Sequence, residues 1–295
     1  MTKPVVEIRD LSFYHGKDKK GIKDLFLSLE KGKVYGLWGR NGAGKTTLMK
    51  IMTGLLKPKK GTVLVFGEGP FENRRTLEKI CFIQENHPLN PAWRIRDVMK
   101  VASYFYPKWD DELAQETLEA FALDPAKRVK ALSKGMRTAV ALTIGLASKA
   151  PFTIFDEPTN GLDAAVREIF YNLLIEELEE GERTVILSTH FIQELQSYIE
   201  EMVVLHDGEL VLHQPIELIR EEAVYVTGQK QKLEEVIHHS DALEVKTLGS
   251  TASVLLEKNS DAWALAQKQE IVTETPSLQE YLLRKTDRKN EEVWS

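Results

Sequence analysis

The feature that most constrains this chain is the run Gly39-Arg-Asn-Gly-Ala-Gly-Lys45-Thr46, which joins an apolar stretch, Val34–Trp38, to a helix expected over Thr46–Met52. A Gly-x-x-x-x-Gly-Lys-Thr run of this kind needs each residue type for a reason. The glycines let backbone N–H groups curl around phosphate oxygens. Lys45 brings a point charge to the β and γ phosphates, Thr46 offers a hydroxyl to magnesium, and the helix N-terminus adds its dipole. Asn41, Gly42, Ala43, Gly44 and Thr47 complete the expected phosphate-binding segment. A strand that feeds such a loop is expected to be buried in a sheet, with the loop at its C-terminal end.

The flanking sequence is consistent with that placement. Val5, Ile8 and Leu11, then Leu25, Leu27 and Leu29, alternate with polar residues between turn signals at His15-Gly16 and Lys31-Gly32, which predicts antiparallel strands leading into the buried one. A further strand pair is expected at Gly61–Gly67 and Ile80–Gln84. From Ile95 to about Lys130 the period turns helical, broken at Pro107 and Pro125, and a helix is expected from Ser133 through Ala147. Two strand–helix units follow, Phe152–Phe155 with Ala164–Glu179 and Thr184–Ser188 with a helix over Gln193–Tyr198. Short apolar strands alternating with helices imply a parallel sheet covered on both faces. The acidic run Glu176–Glu182 reads as a solvated helix end. After Gly208 the texture changes: strands are expected at Ala223–Thr227, Ala242–Leu248 and Thr251–Leu255, with helices at Gln231–Ile237 and Ser277–Arg284.

Three further features carry chemistry only in company. Asp156 and Glu157 close an apolar strand; one acid there can hold magnesium through a water and the next can orient or deprotonate an attacking water. His190 follows the next apolar strand, and Gln84 ends the strand that contains Cys81. Taken singly, these are a solvated strand end, a structural histidine and a surface amide. The turn Leu132-Ser133-Lys134-Gly135-Met136 would by itself pass for a helix cap.

In this order the set closely resembles the ATP-binding cassette (ABC) family over about Val5–Leu212. The Walker A loop is Gly39–Thr46, the Q-loop glutamine Gln84, the signature turn Leu132–Met136, Walker B Phe152–Asp156 with catalytic Glu157, the D-loop Asn160–Asp163 and the switch histidine His190. The resemblance implies an α/β fold class: a P-loop NTPase core with a parallel sheet, an antiparallel β subdomain and a helical subdomain at about 93–136, plus a small C-terminal α+β domain. It implies a nucleotide-binding domain at 1–215, an accessory domain at 216–295, and ATP and Mg2+ as cofactors. It also implies two cassettes paired head to tail, a homo- or heterodimer, so that Ser133 and Gly135 of one face the nucleotide held by the other. Glu157 would be the general base, His190 would contact the γ-phosphate, Gln84 would reach magnesium beside Thr46 and Asp156, and Asp163 would couple the two sites. The chain is similar to ATPase subunits of ABC-2-type exporters, in particular the ytr-type subgroup of Gram-positive bacteria, which implies a transmembrane permease partner and a place on the inner face of the cell membrane.

Several residues depart from the family pattern. Lys134 and Met136 replace a glycine and a glutamine of the signature turn; lysine avoids positive φ, so a re-aimed loop is one expectation, and a charge approaching the nucleotide is another. The aromatic ring that stacks on adenine aligns with His15, with Tyr14 one position earlier and slightly preferred. Arg40 reads as a solvated charge. The aromatic cluster Tyr104, Phe105, Tyr106 and Trp109 reads as core packing, with a groove for a helix of the membrane partner as the alternative.

Composition sets outer bounds. Hydrophobic residues make up 42% and charged residues 28%, as in ordinary globular proteins. No apolar run is long enough to span a bilayer, and the N-terminus has no signal pattern, so the expected location is cytoplasmic. A net charge of −6 argues against a broad nucleic-acid surface, and no nucleic acid is expected as a partner. Cys81, the single cysteine, excludes an internal disulfide and reads as a small buried hydrophobe. His238-His239 reads as an exposed turn. The competing functions are a soluble cassette ATPase of translation or DNA repair, and a regulatory nucleotide-binding module with little turnover.

Overall fold

The computed structural model describes residues 3–16, 20–179 and 183–291; the end of the acidic run, at 180–182, lies outside them. The chain forms two compact units, Met1–His190 with Ser197–His213 and Phe191–Gln196 with Gln214–Ser295.

The first unit begins with β1 (Val6–His15) and β2 (Lys20–Leu29), an antiparallel pair, followed by β3 (Val34–Trp38), every residue of which is buried. The phosphate loop then leads into α1 (Lys45–Met52). β4 (Lys60–Val65) joins the antiparallel sheet beside β1, giving the order β2-β1-β4. After a single turn of helix, α2 (Arg74–Leu77), comes β5 (Ile80–Ile83), which pairs with a different sheet altogether. The expected strand pair of Gly61–Gly67 with Ile80–Gln84 is therefore absent. Each strand is apolar enough to pack, and only the tertiary arrangement selects its neighbour.

A helical segment follows, made of α3 (Ile95–Ser103), α4 (Asp111–Ala120), a 3-10 turn at Val129–Ala131 and α5 (Lys134–Ala147). The chain returns to the sheet through β6 (Phe152–Asp156), α6 (Ala164–Glu179) and β7 (Thr184–Thr189). The helix expected at Gln193–Tyr198 is a single turn, α7 (Ile192–Leu195), and it belongs to the second unit. β8 (Glu201–His206) and β9 (Glu209–Pro215) complete a six-stranded sheet of order β5-β6-β7-β3-β8-β9. The first five strands run parallel; the two-residue turn Asp207-Gly208 makes β9 antiparallel to β8. The change of texture after Gly208 thus precedes one more strand of the first unit.

Leu48, Met49, Ile51 and Met52 of α1 share one buried core with Ile8 and Leu25 of the antiparallel sheet and with Tyr35, Ile154 and Val203 of the parallel one. That burial holds the phosphate-loop helix between two sheets. On the other face Phe155 meets Phe170 of α6 edge-to-face, ring centroids 5.3 Å apart. Cys81 is fully buried in β5, as expected.

The second unit adds α8 (Ile216–Glu222), β10 (Ala223–Gln229), α9 (Glu234–Ile237), β11 (Glu244–Leu248), β12 (Thr251–Glu257), α10 (Asp261–Ala266), β13 (Val272–Glu274) and α11 (Leu278–Glu291). Its sheet order, β11-β12-β10-β13, is that of a split βαβ motif. Val224, Val226, Val254 and Leu256 line one face and share a core with α9 and α10. On α11 the Tyr281 hydroxyl oxygen lies 2.6 Å from a Glu222 carboxylate oxygen and 2.7 Å from one of Glu257, its single proton shared between them, while Arg284 pairs with Glu244. No helix among the described residues is long and apolar enough to cross a membrane.

Candidate active site

Strand order assembles the site. β5, β6, β7 and β3 are parallel neighbours, so their C-terminal ends deliver Gln84, Asp156 with Glu157, Ser188 with His190, and Gly39 to one edge of the sheet. Ligands of open α/β sheets bind outside that edge. Asp156 is the register partner of Ser188, and Trp38 that of Thr189.

The phosphate loop has the backbone its glycines allow. Gly42 and Gly44 sit at φ 88° and 103°, in the left-handed region. A Cβ on Gly39 would lie 2.5 Å from the Leu205 carbonyl oxygen. Gly44 caps α1 without a side-chain hydrogen bond, and the first turn of α1 holds no acid. Its N–H groups and dipole are thus left to an anion. Lys45, only 7% exposed, donates from Nζ to the Gly39 carbonyl at 2.6 Å and lies 3.7 Å from Glu157 Oε1. Burial pushes its ammonium below the ordinary lysine value, although Glu157 and Asp156 pull it back up.

Thr46 Oγ1 donates to Asp156 Oδ2 at 3.2 Å, and the other carboxylate oxygen accepts from Ser188 Oγ at 2.7 Å. A hydroxyl and a carboxylate converging in this way are hard oxygen donors of the kind Mg2+ takes. The residues present therefore fit both a nucleotide phosphate chain and its metal.

Glu157 follows at φ 49°, a left-handed conformation that costs a non-glycine residue about 1–3 kcal/mol. Ser188 Oγ accepts its N–H at 2.9 Å, and its Oε2 meets His190 Nδ1 at 2.8 Å. Burial raises the Glu157 carboxyl above its ordinary value against the opposing pull of His190 and Lys45. The arrangement is a carboxylate between His190 and Lys45 with its proton affinity tuned upward, which is chemistry suited to a general base. Ser188 was missed from sequence, where it reads as one more strand residue; its position at the end of a strand, two before His190, is the available signal.

His15 and Tyr14 fall on opposite faces of β1. His15 Nε2 lies 3.0 Å from Thr47 Oγ1, beside the phosphate loop, while Tyr14 lines a depression with Phe26 and Leu210. Strand alternation puts His15 on the loop's side. Arg40, Asn41 and Gly42 are exposed, and Ala43 is buried.

The signature turn is a helix start. Ser133 Oγ accepts the Met136 N–H at 3.1 Å, which caps α5, and Lys134 is its first helical residue. No positive φ is required at Lys134, so the backbone re-aiming expected from lysine does not arise. Gly135 is needed for contact: a Cβ there would stand 2.9 Å from the Gly161 carbonyl oxygen. Asp163 Oδ1 accepts the Val166 N–H at 2.9 Å, which caps α6. Gln84 lies on the rim of a groove of about 780 Å³ whose walls include Leu55, Leu77, Phe82, Tyr104 and Phe105. Tyr104 is 74% exposed and Phe105 66%, so the core reading of that cluster is overturned for these two rings; Tyr106 and Trp109 are half-buried. Among the described residues no cluster of metal-ligating side chains involves His238-His239.

Residues 22–160 match the sequence profile of the ABC transporter family. The chain is 32% identical over 214 residues to YdbJ of Bacillus subtilis, an uncharacterized ABC transporter ATP-binding protein, covering 71% of this chain and 69% of that one. The chain belongs to the ABC transporter ATP-binding family. ABC ATPases of this kind bind ATP, typically with Mg2+, and generally hydrolyse it. YtrB of Bacillus subtilis, an ABC transporter ATP-binding protein, is 25% identical over 222 residues, 75% of this chain and 76% of its own. Among solved structures, a dimeric ATP-binding cassette in a post-hydrolysis state with ADP and Pi superposes with a TM-score of 0.63 at 24% identity, over 72% of this chain and 98% of that one. The ABC ATPase fold thus accounts for the first unit, with its parallel and antiparallel sheets and its helical segment.

Proposed function

We propose that this cassette hydrolyses ATP and powers a membrane exporter through a separate transmembrane partner, pairing head to tail with a second cassette when ATP binds. The observation that carries the reading is the geometry at Glu157: its backbone N–H is held by Ser188, and its partly buried carboxylate is held by His190, 3.7 Å from Lys45 and next in sequence to the Thr46–Asp156 pair.

In this reading the Gly39–Thr46 loop, with Asn41, Ala43 and Thr47, cradles the phosphates, and His15 stacks on the base. Lys45 exchanges the Gly39 carbonyl for phosphate oxygens. Thr46, Asp156 and Gln84 hold Mg2+, which when bound neutralises charge on the β and γ phosphates. Glu157 takes the proton of the attacking water, and His190 fixes the carboxylate's orientation and contacts the γ-phosphate. Ser133 and Gly135 of the second cassette close the site, with Asp163 at the boundary between the two. Residues 1–215 are the nucleotide-binding domain and 216–295 an accessory domain.

The groove beside Gln84 is the proposed seat of the permease, since exposed Tyr104 and Phe105 over an apolar floor suit an amphipathic helix. Such a partner would hold the cassette at the inner face of the membrane. Within the exporter reading the ABC-2 class and its ytr-type subgroup are proposed, the subgroup on similarity to YtrB. Glu157→Gln tests the assignment: turnover should fall roughly 10²–10⁴-fold while an ATP-bound dimer accumulates. Turnover at the wild-type rate would refute it.

A further inference from the structure

Three segments far apart in the chain meet beside the signature turn, and the proposed chemistry uses none of the side chains that join them. Glu85 follows Gln84 after β5, Lys134 opens α5, and Asn160-Gly161 lie in the loop after Glu157. Asn160 Nδ2 donates to Glu85 Oε1 at 2.7 Å, and the same oxygen lies 4.0 Å from Lys134 Nζ. The Lys134 stem passes over Gly161: a Cβ there would stand 3.4 Å from Lys134 Cδ and 3.5 Å from Cε. Gly135 in turn approaches the Gly161 carbonyl so closely that no Cβ fits without a shift.

Lys134 sits at the positive end of α5, where the helix dipole disfavours a cation. The first turn of α5 contains no acid to offset it. Glu85 supplies that counter-charge from another segment. Lys134 and Glu85 are 52% and 38% exposed, so the ion pair alone contributes little. Asn160 changes this, because it already fixes the carboxylate and the lysine need not order it.

We propose that Glu85 is a positioning residue whose charge, paired with Lys134, ties the signature turn to the loop carrying Asp163. One cassette then presents Ser133, Gly135 and Asp163 to the second cassette's nucleotide as a single surface. This rests on the head-to-tail reading above. Glu85 also adjoins Gln84 on the rim of the apolar groove, so the same contact links that groove to the face that meets the second copy.

The test uses the full chain in the Glu157→Gln background, where ATP-driven dimers are counted by sedimentation across ATP concentrations. E85Q keeps an oxygen for Asn160 and removes only the charge. E85Q and K134Q should each raise the ATP concentration of half-dimerisation roughly 1.5- to fivefold. The double variant should do no more than either single. Monomer affinity for a fluorescent ATP analogue, read at protein concentrations too low for dimers, should stay unchanged. A role confined to folding would lower the unfolding temperature and leave the dimerisation midpoint in place. Additive single effects overturn the proposal. If the Glu157→Gln chain stays monomeric at saturating ATP, the head-to-tail reading fails and this proposal with it.

Discussion

Ser188→Ala isolates the link between backbone strain and the carboxylate proposed as the general base. The Ser188 hydroxyl is fully buried and makes two hydrogen bonds, donating to Asp156 Oδ1 and accepting from the Glu157 N–H. An orphaned backbone N–H costs about 1–3 kcal/mol, and a lost hydrogen bond to a charged group about 1.5–3 kcal/mol. Asp156 keeps Thr46 as a partner, so the two losses do not add in full, and about 2–4 kcal/mol of local stability should go. Without its acceptor, Glu157 has less reason to hold φ 49°, and its carboxylate moves with the backbone. A displacement of about 1 Å at a reacting group costs roughly 10²-fold in rate. The assay pairs steady-state Mg-ATP turnover with hydrogen exchange at the Glu157 amide. Exchange should speed up roughly 30- to 800-fold, the equivalent of about 2–4 kcal/mol of local stability, while ATP still binds. Wild-type turnover with unchanged protection of that amide would refute the reasoning.

Other consequences follow from the same geometry. Because burial raises the Glu157 carboxyl above its ordinary 4.5, the folded cassette holds that proton more tightly than the unfolded chain. Stability from this group is full below 4.5 and is lost as pH rises through the folded value, so nucleotide-free Glu157→Gln should melt higher than wild type at pH 8, the gap closing toward pH 4. The acid limb of kcat/KM in wild type should likewise lie above the usual carboxylate range, and a limb within it would contradict the raised proton affinity. Gly135→Ala forces the signature turn off the Gly161 carbonyl. Its circular dichroism should match wild type while ATP-driven dimerisation falls, and an intact dimer would show that the close approach is dispensable. His15→Ala should weaken ATP binding by about 1 kcal/mol, roughly fivefold, the low end for base–aromatic stacking, whereas Tyr14→Ala should not; titration of both variants decides between them.

The residues that the fold gathers at the candidate site were legible because phosphate chemistry ties residue types to fixed local spacings: a glycine loop with Lys45 and Thr46, acids closing an apolar strand, a histidine after the next. What was misread concerned partners. β4 and β5 looked like a pair because an apolar strand does not state which edge it joins. Tyr104 and Phe105 looked like core because aromatic content does not state exposure. Lys134 looked strained because the turn's φ angles are set by the helix it begins.

Sequence alone thus determined the α/β class, the phosphate loop and the order of its companions, since each depends on residues near one another in the chain. Tertiary structure decided the rest. It set the order β5-β6-β7-β3 that gathers Gln84, Asp156, Ser188 and Gly39 at one edge. It put His15 beside Thr47 and brought Glu85 and Asn160 together across 75 residues of chain. Those contacts depend on which strands share a sheet, a choice made by burial of the whole core rather than by any local pattern.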